Sequence, residues 1–271
     1  MLTKRLVKAG IILIFLVMAS PQGKAQSTLE LGAFGGASYY LGDINPGLHF
    51  KQLQPAYGFL ARYSQGTRFA FRFNFTLTEI IGDDYVVKFN EGRGLNFKTE
   101  LYDASFIAEF NFFDYFTGSK QDYVTPYIFG GFSVFHFTPR DLAGNLLRPL
   151  GTEGQYMVDM DGNRIGPEPY SQIGVSIPFG LGFKYSLTKR IGVAVEWRMH
   201  KTFTDYLDDI STVYPGSPDL SLLPGGDTTY GVQRGDRSND DWYSFTGVSL
   251  TYKFNLIKRE RCLDLEGNQT W

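Results

Sequence analysis

The chain has 271 residues, with 26 Lys and Arg against 28 Asp and Glu, a formal net charge of -2 and a sequence pI near 6.0. That balance excludes nucleic acid as a partner, because phosphate neutralisation needs a basic surface. Aromatic residues make up 16% of the chain, led by 24 Phe and 17 Tyr, and there are 31 Gly, which suits strands, tight turns and aromatic girdles.

The first residues read as an export signal. Lys4, Arg5 and Lys8 precede the apolar run GIILIFLVMAS, and PQGKAQ follows it; this is the order of a secretory signal peptide. Its apolar core is about ten residues, half of what a membrane-crossing helix needs. Gly23 and Ala25 fit the small-x-small rule, so cleavage is expected after Ala25. Residues 1–25 are then the signal peptide, 26–255 a barrel and 256–271 a C-terminal tail.

From Thr28 onward apolar residues recur with period two. In RFAFRFNFTLT, Phe69, Phe71, Phe73, Phe75 and Leu77 alternate with Arg68, Ala70, Arg72, Asn74, Thr76 and Thr78. Successive side chains of a strand point to opposite faces, so one face is wholly apolar. YDASFIAEFNFF repeats the pattern. Eight such segments are expected, at 28–40, 56–64, 68–81, 97–113, 124–138, 173–187, 191–206 and 241–255. Connections after the even-numbered segments are short and those after the odd-numbered ones long. An even strand count with alternating short turns and long loops is the pattern of a bacterial outer-membrane barrel. The fold expected is therefore all-β: an eight-stranded antiparallel transmembrane β-barrel in the outer membrane, contacting its lipids, with both termini in the periplasm. A soluble sandwich also alternates, but it rarely aims so many aromatics one way. In TGVSLTYKFN the outward row Val248, Leu250, Tyr252 and Phe254 is similar to the terminal signal read by barrel-assembly machinery.

An eight-stranded barrel is just wide enough for its own side chains. Parity places Glu30, Arg62, Arg72, Asp103, Glu109, Lys184, Glu196, Arg198 and Lys253 inside, acids interleaved with bases. Buried charges persist when paired, so a salt-bridged plug is expected, with small-ion leakage as the competing reading. No catalytic, metal or cofactor motif emerges. His49, His136 and His200 lack metal-ligand spacing with the single cysteine, and no motif frames a serine hydrolase. DMDGN lacks the distal Glu of a calcium loop and reads as a tight turn at Asp161-Gly162. The glycines of FGGAS and FGGFS, within strands, read as positions that permit strong curvature or close packing of a small barrel. Neither a cofactor nor a small-molecule substrate is expected.

LELGAFGGASYYLGDINP at 29–46, PFGLGFKYSLTKRIGVAVEWR, and RMHKTFTDYLDDIS at 198–211 resemble the PorG-like outer-membrane barrels of the type IX secretion system. The resemblance implies a non-enzymatic barrel that associates with a periplasmic ring lipoprotein and its ring subunit, in a machine for protein secretion that in some members supports gliding motility. Material for such docking is expected in the turn DYFTGSKQDY and in the tail. There Lys258, Arg259 and Arg261 would steer a partner, Trp271 would anchor in a groove, and Cys262 would form an intermolecular bond in an oxidising compartment. The competing function is an independent OmpA/OmpX-like surface barrel for adhesion or envelope integrity, working through the long loops at 139–172 and 207–240.

Overall fold

The computed structural model describes residues 27–90, 92–157, 161–164, 166–215 and 231–255. The signal peptide and the tail with Lys258, Arg259, Arg261, Cys262 and Trp271 lie outside the described residues. Eight strands run in chain order: β1 (Thr28–Leu41), β2 (Gln54–Gln65), β3 (Phe69–Asp83), β4 (Asn96–Asn111), β5 (Val124–Arg140), β6 (Ile173–Ser186), β7 (Ile191–Thr202) and β8 (Trp242–Asn255). Each pairs antiparallel with the next, and β8 returns to β1, with Thr28 opposite Asn255, to close the barrel. Closure removes every sheet edge. Two helical turns, α1 (Asp84–Val87) and α2 (Leu147–Leu150), are set in loops.

The barrel is inverted relative to a water-soluble protein. On β3, Phe73 is 44% exposed whereas its neighbour Arg72 is fully buried. The outward row continues across strands: Phe59 faces Phe75, Phe73 faces Phe106, and Phe106 faces Phe132. Outward positions of β6 carry Ile173, Val175, Ile177, Phe179, Leu181, Phe183 and Tyr185, all exposed. Such a wall would aggregate in water and is at home in hydrocarbon. Above the belt, on β3, β4 and β5, the outward residues become ion pairs, Lys98 with Glu79 and Arg140 with Glu100. These strands therefore continue past the apolar band.

Strands β2, β3 and β5 run up to two residues past their expected bounds, and two strands, β7 and β4, stop short of them by two residues or more. β7 stops at Thr202, not 206, because the Thr202 hydroxyl donates to the Asp241 carbonyl (2.6 Å) and the chain turns over the barrel mouth. β4 stops at Asn111, not 113, where the Phe113 amide donates to Thr125 Oγ1 instead of continuing the ladder.

Glycine lets the walls approach. In each FGG stretch one glycine faces inward, and a Cβ on Gly36 or Gly131 would lie 2.2 Å from the Thr246 carbonyl oxygen or 2.1 Å from that of Phe106.

The interior has two layers. Toward the long loops lies an apolar core built on Phe34, Tyr40, Phe97, Leu101, Phe135, Phe137, Tyr243 and Phe245. Toward the short turns the lumen is ionic.

Candidate functional site

All nine charged residues placed inside by parity are buried in the lumen, none more than 7% exposed. Glu109 of β4 is the junction. It meets Arg62 at 3.0 Å, Arg72 at 3.0 Å and Lys184 at 2.5 Å. Arg62 also binds Glu30 at 2.9 Å, and Arg72 reaches Glu196 at 2.6 Å. Arg198 lies 3.9 Å from Glu196 and donates to Thr76 Oγ1 (3.2 Å). Cations also sit over rings: Lys184 over Tyr127 at 4.4 Å and Arg198 over Phe245 at 4.8 Å. A charge removed from water is tolerated when paired and hydrogen-bonded like this, and the network crosses the lumen from β1 to β7.

Asp103 stands apart. It accepts from Ser133 and from the Tyr243 hydroxyl (2.9 Å), and lies 3.6 Å from His200 Nδ1. Ser176 Oγ is 3.0 Å from that same nitrogen, while His200 Nε2 has no partner. A catalytic triad places the Ser and the acid on opposite ring nitrogens. Here both share one, and Ser176, His200 and Asp103 are all fully buried, so this cluster is structural.

The turn end is stoppered by the turn at 114–123, DYFTGSKQDY, which the sequence reading offers as docking material. Tyr115 and Thr117 are buried. Thr117 donates to Glu30 at 2.5 Å, Lys253 donates to the Thr117 carbonyl, and its ammonium stands 4.2 Å from the Phe116 ring centre. Gly118, with φ +94°, packs where a Cβ would lie 2.4 Å from the Lys189 carbonyl oxygen, locking this turn to the next. Within 114–123, Asp114 and Lys120–Tyr123 remain exposed.

The loop end carries a second polar assembly that the sequence reading missed. Arg93 forks onto Asp84 (2.9 and 3.0 Å) and donates to the carbonyls of Asp43 (3.1 Å) and Arg234 (2.7 Å), tying the loops after β1, β3 and β7. Glu153, in the loop after β5, accepts from the Ser211 and Thr212 amides (3.1 Å each) and pairs with Arg234. Tyr170 donates to Asp209 at 2.5 Å and stacks on Tyr206 at 4.5 Å. All four long loops thus form one cap. At its centre Tyr40 Oη lies 2.5 Å from Asp208 Oδ2 and 2.7 Å from Asp241 Oδ1. A phenol has one hydrogen to donate, so one of the two carboxyls holds the second. Burial first, and then the Asp208 and Asp205 charges, raise the Asp241 carboxyl well above the usual range. Burial likewise pushes Asp208 up to about 8, Asp205 to about 9 and Asp209 to about 6. The signal available in sequence was the run DYLDDI, whose Leu207 and Ile210 are fully buried beside its acids.

At the Asp161-Gly162 turn, Gly162 has φ +82°. Asp159 and Met160 lie outside the described residues. Among the described residues no His, Cys, Asp or Glu cluster is arranged to hold a metal.

These features define a class: a closed eight-stranded barrel with an apolar outer wall, an ionic lumen and both ends stoppered. Residues 8–262 match the model of the family described as Domain of unknown function (DUF6089), and the chain belongs to that family. A comparison with curated protein sequences finds no match. Among solved structures the chain is similar to Ail, the attachment invasion locus protein of Yersinia pestis, in complex with the heparin analogue sucrose octasulfate (10% identity, TM-score 0.43, covering 84% of this chain and 99% of that one). It is also similar to Neisserial surface protein A (12%, 0.41, 86% and 100%) and to OprG of Pseudomonas aeruginosa (11%, 0.37, 86% and 97%).

Proposed function

We propose that this chain is a non-enzymatic outer-membrane subunit of the type IX protein secretion system that positions periplasmic ring components. The observation that carries this reading is the stoppering of both barrel ends. A barrel filled by Glu109 and its three cations, with Thr117 below and the loop cap above, offers substrate no path. Its use therefore lies in its surfaces. The resemblance to PorG-like barrels, strongest at the first strand and in strands six and seven, also includes 29–46 and 198–211, which contain Tyr40, Asp43, Asp208 and Asp209; this supports the reading by tying the resemblance to the cap. The first and last strands end side by side at the turn end, so the tail starts there. With that end in the periplasm, Lys258, Arg259 and Arg261 steer a ring lipoprotein and its ring subunit, Trp271 anchors, and Cys262 forms an intermolecular disulfide. A clean deletion is expected to abolish export of proteins carrying the C-terminal sorting domain. Co-purification in mild detergent is expected to recover the ring lipoprotein, with a reductant-sensitive band lost in Cys262→Ser. Intact export in the deletion strain would sink the proposal.

A second reading is favoured by the cap itself. Four loops joined by Arg93, Arg234 and Glu153 present a fixed outer surface, as an independent OmpA/OmpX-like barrel for adhesion or envelope integrity requires. Under that reading, cutting back the outer loops removes the phenotype and truncation after Asn255 does not.

A further inference from the structure

The loop after β1, residues 42–53, does not stay wholly within the cap. Asn45, buried beneath it, donates to the Tyr40 and Leu48 carbonyls (2.9 and 3.0 Å) and accepts from the Leu48 amide (2.9 Å). That turn sends the next residues outward and down the wall. His49 Nδ1 lies 3.0 Å from Tyr39 Oη, and Trp197 Nε1 donates to the same hydroxyl at 2.9 Å. The Phe50 ring is centred 5.2 Å from Tyr39 and 6.5 Å from Trp197. Tyr39 and Trp197 belong to the outward rows of β1 and β7, and they meet across β8, where their cross-strand partners are Ser244 and Thr246. The loop is thus clasped to the outside of the barrel, over the junction where its first and last strands close.

What this clasp leaves open is apolar. Leu48, Phe50 and Leu53 are each about half exposed, and exposed Lys51 stands among them. Leu53 continues the outward row of Pro55, Tyr57 and Phe59 on β2. Phe50 and Gln52 are held at positive φ, +59° and +51°, which side chains other than glycine rarely adopt; the side-chain oxygen of Gln52 accepts from the Asp83 amide at 3.2 Å. We propose that residues 42–53 form an interfacial latch that inserts Leu48, Phe50 and Leu53 into the lipid leaflet at the loop end, with the Lys51 ammonium at headgroup level. The occupant is lipid because the patch is continuous with the apolar belt through Leu53, Pro55, Tyr57 and Phe59, all exposed, and because aromatics beside a lysine match the bilayer interface.

The latch rests on the membrane placement proposed above, so the test separates the two. In a Cys262→Ser background, Leu48→Cys, Leu53→Cys, Phe106→Cys and Leu142→Cys are each spin-labelled in phosphatidylcholine and phosphatidylglycerol vesicles. Collisions with oxygen, which concentrates in lipid, are compared with those of a polar nickel chelate. Labels at 48, 53 and 106 are expected to favour oxygen and the label at 142 the chelate. An aqueous reading at 48 and 53 with lipid at 106 overturns the latch alone, whereas an aqueous reading at 106 overturns the membrane placement. Shielding of 48 and 53 from both reagents means that a second copy covers the loop, and overturns the latch as well. Tyr39→Phe, which removes the hydroxyl shared by His49 and Trp197, is expected to shift label 48 toward the chelate while leaving 106 unchanged.

Discussion

Glu109 is the residue on which three cations converge, and removing its charge leaves Lys184 with only Asn111 as a polar partner, at 2.8 Å. Breaking a buried pair from one side costs about 3–5 kcal/mol, because the desolvated partner is stranded. Glu109→Gln is therefore expected to lower stability by about that amount in urea unfolding from vesicles. Glu79→Gln, whose pair with Lys98 is more than a third exposed on both sides, is expected to cost less than about 1 kcal/mol. Adding Lys184→Met to Glu109→Gln removes the stranded ammonium, so the double variant is expected to lose less than the two singles summed. Strict additivity would show that Lys184 does not depend on Glu109. This network was legible in sequence because strand parity alone assigns the face: once Phe69, Phe71 and Phe73 face out, Arg72 must face in. Parity says nothing of partners, so the convergence on Glu109 needed the register that places Arg72 opposite Ile107 and Arg62 opposite Arg72.

At the scale of the element, the loop cap was the illegible part. Period two ends where the strands end, and residues 203–215 hold their shape through side chains such as Glu153 and Arg234 that come from distant sequence. Nothing in the run TDYLDD itself shows that its acids are buried together with Leu207 and Ile210. Its burial makes it proton-sensitive. An acid whose folded pKa is raised binds a proton more tightly in the folded cap than in the open loop. Its contribution to cap stability is therefore complete below about pH 4 and is lost as pH rises through the folded value. The windows are about 6 for Asp209 and about 8 for Asp208. The reporters are the Leu207 and Ile210 amides, which donate to Asp241 and Asp208 at 2.9 Å each. Their hydrogen-exchange protection, corrected for intrinsic rate, is expected to fall between pH 6 and about 9, while Phe106 in the wall stays protected throughout. Asp208→Asn keeps the shape and removes one titrating charge, so its profile is expected to flatten near pH 8. An unchanged profile in that variant would place the proton elsewhere.

For the whole molecule, the arrangement of plugs in series decides what the barrel can be. Three layers close the lumen independently: Tyr115, Phe116 and Thr117 at the turn end, the Glu109 junction in the middle, and the aromatic core under the loop cap. An eight-stranded wall leaves no spare cross-section, so removing one layer exposes the next instead of opening a pore. The wild-type barrel in a planar bilayer is therefore expected to show no discrete conductance. A variant with Tyr115, Phe116 and Thr117 changed to serine is expected to stay silent too, because Arg72 still reaches Glu196 across the lumen at 2.6 Å. Current is expected only when that triple change is joined to Glu109→Ala and Arg72→Ala and the aromatic layer is thinned at Phe135 and Tyr243. Step currents from the wild type would contradict the layered plug and return small-ion passage as a role. Silence through the first two stages leaves the wall, the cap and the tail as the surfaces through which this protein acts.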